Sequence, residues 1–129
     1  TDHAPHPIES KDCEWSAAAF GMVGLETAAS VAQQVLIDSK KSNWMRLAEV
    51  LSHAPARIAQ DKNQGELLAV GSSANIALID ATATRKIAAK TASKSVNNPY
   101  AELELPGRVV HTIFKGRFTV RDGKLAGAN

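Results

Sequence analysis

Apolar residues return along this chain first at helical spacing and later in short runs between turn residues. Between Gly21 and about Lys41, Leu25, Ala28, Ala29, Val31, Ala32, Val35 and Leu36 recur every three or four positions, with Gln33, Gln34, Asp38 and Ser39 among the polar sites. The spacing predicts an amphipathic helix. Lys40 and Lys41 at its end suit the negative pole of the helix dipole. A second helix is expected from Ser42 or Asn43, either a good N-cap, burying Trp44, Leu47, Ala48, Val50 and Leu51. Pro55 disfavours helical geometry at Ala54 and predicts a break there.

Beyond Asp61 the pattern predicts strands at Leu67 to Val70, Ala74 to Ile79, Arg108 to Lys115 and Arg117 to Arg121. Lys115-Gly116 reads as a hairpin turn between the last two, and Asp122-Gly123 as another turn. Thr1 to Phe20, carrying Pro5 and Pro7 without periodicity, reads as loop, and Ala81 to Pro106, with Asn97-Asn98-Pro99, as mostly irregular. The order of helix, helix, then strands gives an α+β class for the chain by itself.

Composition narrows this only a little. With 129 residues, 44% hydrophobic and 22% charged, the chain fits one soluble globular domain. Its 15 basic and 13 acidic side chains leave a charge of +2, which gives no reason to expect a nucleic-acid or membrane partner. Cys13 is the only cysteine, so no intrachain disulfide forms, and a reducing, cytoplasmic setting is the expectation. No apolar stretch approaches the roughly 20 residues that span a bilayer. The chain opens on Thr1, directly in a polar, histidine-bearing motif, where a free-standing domain is not expected to place chemistry.

That motif is Thr1-Asp2-His3-Ala4-Pro5-His6, a carboxylate beside two imidazoles. Asp2 can bind a metal or move a proton, and the histidines can ligate, donate or act as acid or base. Surface polarity with local turn bonding explains the same residues, and spacing does not decide between the two. His53 fits a helix-capping role, and His111 sits in a strand pattern where structural filling suffices. Asp12 and Glu14 flank Cys13 and disfavour a thiolate. Gly21 and Gly24 lack the companions of a phosphate-binding loop.

The run Thr1-Asp2-His3-Ala4-Pro5-His6 closely resembles the segment after the last barrel strand of dihydroorotases, members of the metal-dependent amidohydrolase superfamily. The similarity continues in Phe20-Gly21-Met22-Val23-Gly24-Leu25-Glu26-Thr27 and in Ser52-His53-Ala54-Pro55-Ala56-Arg57, where Ala54 replaces the usual Asn. Gly71-Ser72-Ser73-Ala74-Asn75-Ile76, Asn98-Pro99-Tyr100 and Gly107-Arg108-Val109-Val110 resemble the C-terminal strand region. Such a match spans nearly the whole chain but only about the C-terminal third of such an enzyme.

The resemblance implies the C-terminal part of an eight-fold β/α barrel with an appended β-sandwich. Residues 1–60 would be the end of the barrel, with its active-site loop and two helices, and 61–129 the sandwich portion. The implied reaction is the zinc-dependent, reversible cyclisation of N-carbamoyl-L-aspartate to L-dihydroorotate in pyrimidine biosynthesis, with one or two zinc ions. Asp2 would be zinc ligand and general acid/base, while His6, Phe20 and Gly21 would bind substrate. Phe20 as an apolar anchor, and Gly21 as a point of close backbone approach, remain equally open. His3 is expected to orient its neighbours, and Lys11 and Arg57 to be a solvated loop lysine and a helix-end arginine.

The implied His-x-His pair and the remaining metal ligands are absent from this sequence, so the chain alone is expected to be inactive. Its expected partners are the small-molecule substrate and the missing N-terminal part, with a homodimer or an aspartate carbamoyltransferase association also open. A non-catalytic assembly subunit and a hydantoinase-type cyclic amidohydrolase are the competing readings.

Overall fold

The computed structural model describes residues 1–127, an α+β arrangement of short helical segments against one antiparallel sheet. Helix α1 (Ala28–Gln33) runs directly into a π-helical turn, Gln34–Asp38. It starts later than the hydrophobic spacing predicts. Met22 bridges in parallel with His3, which draws the chain before α1 into an extended path instead of a helical turn.

The face that α1 buries also differs from expectation. Thr27, Ser30 and Gln33 are only 3%, 4% and 3% exposed. Ser30 Oγ donates to the Gly107 carbonyl at 3.1 Å, and Gln33 Nε2 donates to the Ala81 carbonyl at 2.9 Å. Hydrogen bonding to the sheet thus makes the polar side the inner one. The predicted apolar stripe, including Val31, Ala32, Val35 and Leu36, lines an open groove of about 420 Å³ instead.

Asn43 is the N-cap of α2 (Trp44–Ala48), its side chain accepting the Arg46 N–H at 3.0 Å. Of the expected inner face Leu47 is buried, whereas Trp44 and Leu51 are 43% and 39% exposed. No break occurs at Ala54. A π-helical turn, Glu49–His53, leads straight into α3 (Ala54–Ala59), with Pro55 in its first turn. A proline is tolerated where the helix register has just widened, because its missing N–H has little to forfeit there. Arg57 bonds Glu49 at 2.6 Å and holds that exposed carboxyl below its ordinary pKa.

The sheet is a meander of β1 (Ile76–Lys86), β2 (Glu104–Phe114), β3 (Arg117–Arg121) and β4 (Lys124–Leu125). Strand β3 has the predicted bounds, and β1 and β2 reach well into the stretch expected to be irregular. Between them, residues 88–102 form a long excursion closed by Ile87 N–H to Leu103 O and Glu102 N–H to Ile87 O, both at 2.9 Å. A register shift between Asp80 and Thr84 lengthens β1. Asp80 caps that irregularity, accepting from Thr82 Oγ1 at 2.9 Å, Thr82 N at 3.1 Å and Ala83 N at 3.2 Å, which lowers its pKa. Both turns form as read: Lys115 and Gly116 at φ 48 and 76, Asp122 and Gly123 at φ 53 and 75, the left-handed pairs suited to tight hairpins.

Leu67 to Val70 is not a strand among the described residues. Leu67, Leu68 and Val70 are 73%, 83% and 109% exposed, with no neighbouring strand to complete a ladder. Among the described residues, the buried hydrophobic ones are Val23, Leu47, Ile87 and Leu105.

Gly107 is where helix meets sheet. Its φ is +75, and a Cβ there would lie 2.3 Å from Gln33 Oε1, on a side chain that is itself buried and bonded. Gly107→Ala is therefore expected to cost about 2–4 kcal/mol, combining backbone strain with the displaced Gln33. Amide exchange along β1 and β2 should accelerate by about 30-fold or more; unchanged protection would contradict this packing.

Candidate active-site loop

Two segments, one around His3 and Ala4 and one just before α1, run side by side here. Ala4 N–H donates to Met22 O at 2.8 Å, and His3 Nδ1 accepts Gly24 N–H at 3.0 Å and Leu25 N–H at 3.4 Å. Those two donors require the unprotonated nitrogen at Nδ1, so His3 serves as a neutral tie between the segments. Gly21 makes the close approach possible: at φ +102, a Cβ would stand 2.4 Å from Ala4 Cβ.

His6 Nε2 lies 2.7 Å from the Phe20 carbonyl. A carbonyl only accepts, so Nε2 carries the proton, and Nδ1 can donate to a further group only when the ring is doubly protonated. Phe20 projects its ring outward at 92% exposure, and Asp2 is likewise exposed. Asp2 stands with Thr1, Met22 and Tyr100 at the groove lined by the apolar side of α1. The structure thus brings His6, Phe20 and Gly21 into direct register and sets Asp2 on the same loop.

Lys11 is not the solvated residue that the sequence suggests. Its ammonium donates to Ala19 O at 2.7 Å and Gly21 O at 3.1 Å, fastening the Phe20-Gly21 segment from one side. From the other side comes the excursion between β1 and β2. Asn97 Nδ2 donates to Ala4 O at 2.9 Å and Gly21 O at 3.2 Å, and the Asn97 main-chain carbonyl accepts Val23 N–H at 3.1 Å. Ser95 Oγ lies 2.6 Å from His6 O and accepts His6 N–H at 3.0 Å.

Sequence reasoning treats this excursion as irregular and misses both residues. A signal exists: Thr91, Ser93, Ser95 and Asn97 are partly buried while Ala92, Lys94 and Val96 are exposed, a period of two with the small polar residues inward.

The other candidates stay apart. His53 Nδ1 contacts Gly65 O at 2.5 Å, securing the loop after α3. His111 Nδ1 accepts Asp122 N–H at 3.2 Å and meets Phe118 edge-on at 5.6 Å between ring centres, a structural role. Cys13 is exposed. Among the described residues no three His, Cys, Asp or Glu side chains converge on a common metal position, and no helix is long and apolar enough to cross a membrane.

No protein-family model matches the chain. Among curated proteins it is 50% identical over 126 residues to the dihydroorotase of Streptomyces coelicolor, covering 97% of this chain and 29% of that protein. It is 49% identical over 124 residues to that of Leifsonia xyli subsp. xyli, covering 95% and 28%, and 42% identical over 126 residues to that of Mycobacterium tuberculosis, covering 97% and 29%. The chain therefore spans under a third of the length of these relatives. Among solved structures, a D-hydantoinase (dihydropyrimidinase) from Thermus sp. superposes with a TM-score of 0.81 at 24% identity, covering 98% of this chain and 29% of that one. An L-hydantoinase (dihydropyrimidinase) from Arthrobacter aurescens gives 0.79 at 25%, covering 97% and 29%. The hydantoinase likeness is one of fold, whereas in sequence this chain is, over nearly its whole length, homologous to the C-terminal portion of dihydroorotases.

Proposed function

We propose that the chain is the C-terminal part of a cytoplasmic dihydroorotase that interconverts N-carbamoyl-L-aspartate and L-dihydroorotate. The observation that carries this reading is the 50% identity over 126 residues, combined with a single hydrogen-bonded loop bearing Asp2, His6, Phe20 and Gly21. In this reading residues 1–60 close an eight-fold barrel, whose C-terminal strand ends are the usual place for such a site, and residues 61–129 belong to an appended sandwich. The open groove beside α1 and the unpaired Leu67 to Val70 segment are surfaces for the rest of the protein to cover.

Zinc fits this chain as one ligand's worth. Asp2 supplies an exposed oxygen donor, and a catalytic zinc needs about three protein ligands and an open position. The others are to come from the N-terminal part, since among the described residues no three His, Cys, Asp or Glu side chains converge on one position. Bound zinc would lower the pKa of a water to about 7, supplying hydroxide near neutrality.

The remaining steps fall to this chain. Asp2 takes a proton from the attacking water as the ring amide opens and delivers it to the departing nitrogen; ring closure reverses the transfer. His6, with Nε2 fixed on Phe20 O, holds a substrate carboxylate through Nδ1 in its doubly protonated form. The Phe20-Gly21 backbone closes on the same ligand.

A hydantoinase-type hydrolase is the second reading, favoured by the fold likeness to those enzymes. Assaying the complete protein with L-dihydroorotate and with hydantoin separates the two. The expected kcat/KM is at least about 100-fold higher for dihydroorotate, in keeping with a site built for groups that hydantoin lacks. Equal or reversed preference would overturn the assignment.

A further inference from the structure

The excursion between β1 and β2 reaches across the molecule to the loop that bears the chemistry, and its inward side chains touch main-chain atoms of both halves of that loop. Asn97 Nδ2 bridges Ala4 O, two residues from Asp2, and Gly21 O. Ser95 Oγ takes the His6 N–H and faces the His6 carbonyl, fixing the backbone on either side of that imidazole. Ser95 and Asn97 also bond each other, the hydroxyl having one proton to share between His6 O and Asn97 Oδ1.

From this geometry we infer that Ser95 and Asn97 are positioning residues: they clamp the Asp2–His6 segment against Phe20-Gly21 and so set the distance between the proton-transfer group and the substrate-holding groups. The inference rests on the dihydroorotase reading for its kinetic part only. The clamp itself is a matter of hydrogen bonds already described. Each bond is modest, but a catalytic group shifted by about 1 Å can cost about 100-fold in rate. A fold-supporting role alone would not act in this way, because the sheet and α1 are held by separate contacts through Gly107 and Ala81.

The test uses the complete enzyme and two readouts. In Asn97→Asp, which keeps the shape but removes both N–H donors, and in Asn97→Ala, kcat/KM for dihydroorotate is expected to fall about 100-fold, shared between a higher KM and a lower kcat. Ser95→Ala should lose about tenfold, and Ser95→Thr, which restores the hydroxyl, should recover most of it. Independently of activity, amide exchange measured by mass spectrometry should accelerate at least tenfold in residues 3–6 and 21–24 of the Asn97 variants, while β1 and β2 stay protected. Unchanged exchange in those two segments would overturn the clamp. Accelerated exchange with wild-type kinetics in an active enzyme would overturn the positioning role. If the wild-type protein does not turn over dihydroorotate, the functional reading fails while the exchange experiment still decides the clamp. A variant that loses protection throughout the sheet as well would show a general structural role and count against the inference.

Discussion

Asp2→Asn in the complete enzyme lowers kcat for dihydroorotate by about 1,000-fold, within the range that one positioned acid/base group contributes. Asparagine has nearly the same shape, but its amide neither receives a proton at neutral pH nor matches a carboxylate as a zinc ligand. The substitution is also structurally quiet. Asp2 is exposed and makes no salt bridge among the described residues, whereas the ties that hold its segment come from His3, Ala4 and His6. KM should therefore stay within a few-fold of wild type, and the amide-exchange pattern of residues 3–6 should not move. Steady-state kinetics with matched metal content provides the measurement, and a kcat within threefold of wild type would end the catalytic assignment of Asp2.

The isolated 129-residue chain should lack a cooperative thermal transition and should bind a hydrophobic dye such as ANS. A compact monomer of 13.7 kDa exposes about 6,600 Å². This chain exposes 9499 Å². The excess of about 2,900 Å² is large even beside stable interfaces between proteins. Much of it is apolar: Trp15, Phe20, Ile58, Leu68 and Val70 are 94%, 92%, 84%, 83% and 109% exposed. With few buried hydrophobic side chains, burial has little to set against the conformational entropy of folding. Calorimetry and dye fluorescence test this together. A single sharp transition above about 60 °C without dye binding would show that the chain is self-sufficient. Adding the N-terminal part of the enzyme should quench the dye and restore cooperativity.

The parts of the fold legible in the sequence are those governed by local chemistry. Asn43 as N-cap, the Lys115-Gly116 and Asp122-Gly123 turns and the bounds of β3 depend on a few neighbouring residues, and each forms as read. Where distant segments decide, the reading fails. Ser30 and Gln33 face inward because Gly107 and Ala81 lie opposite them, which a helical wheel does not reveal. Leu67 to Val70 has the composition of a strand but no ladder to join. In the loop, Asp2 and His6 stood out through residue type and resemblance, while Ser95 and Asn97 hid in a polar stretch because their work is done by bonds to main-chain atoms far away in sequence.

That distance bears on the order in which the molecule matures. His6 meets Ser95 across 89 positions and Ala4 meets Asn97 across 93, so the loop cannot settle until the chain has been made at least as far as Asn97. During synthesis Asp2 leaves the ribosome before the polar strap and stays unaligned until Ser95 and Asn97 arrive. A chain truncated before Asn97 would retain Asp2, His6, Phe20 and Gly21 and still lack the bonds proposed to align them.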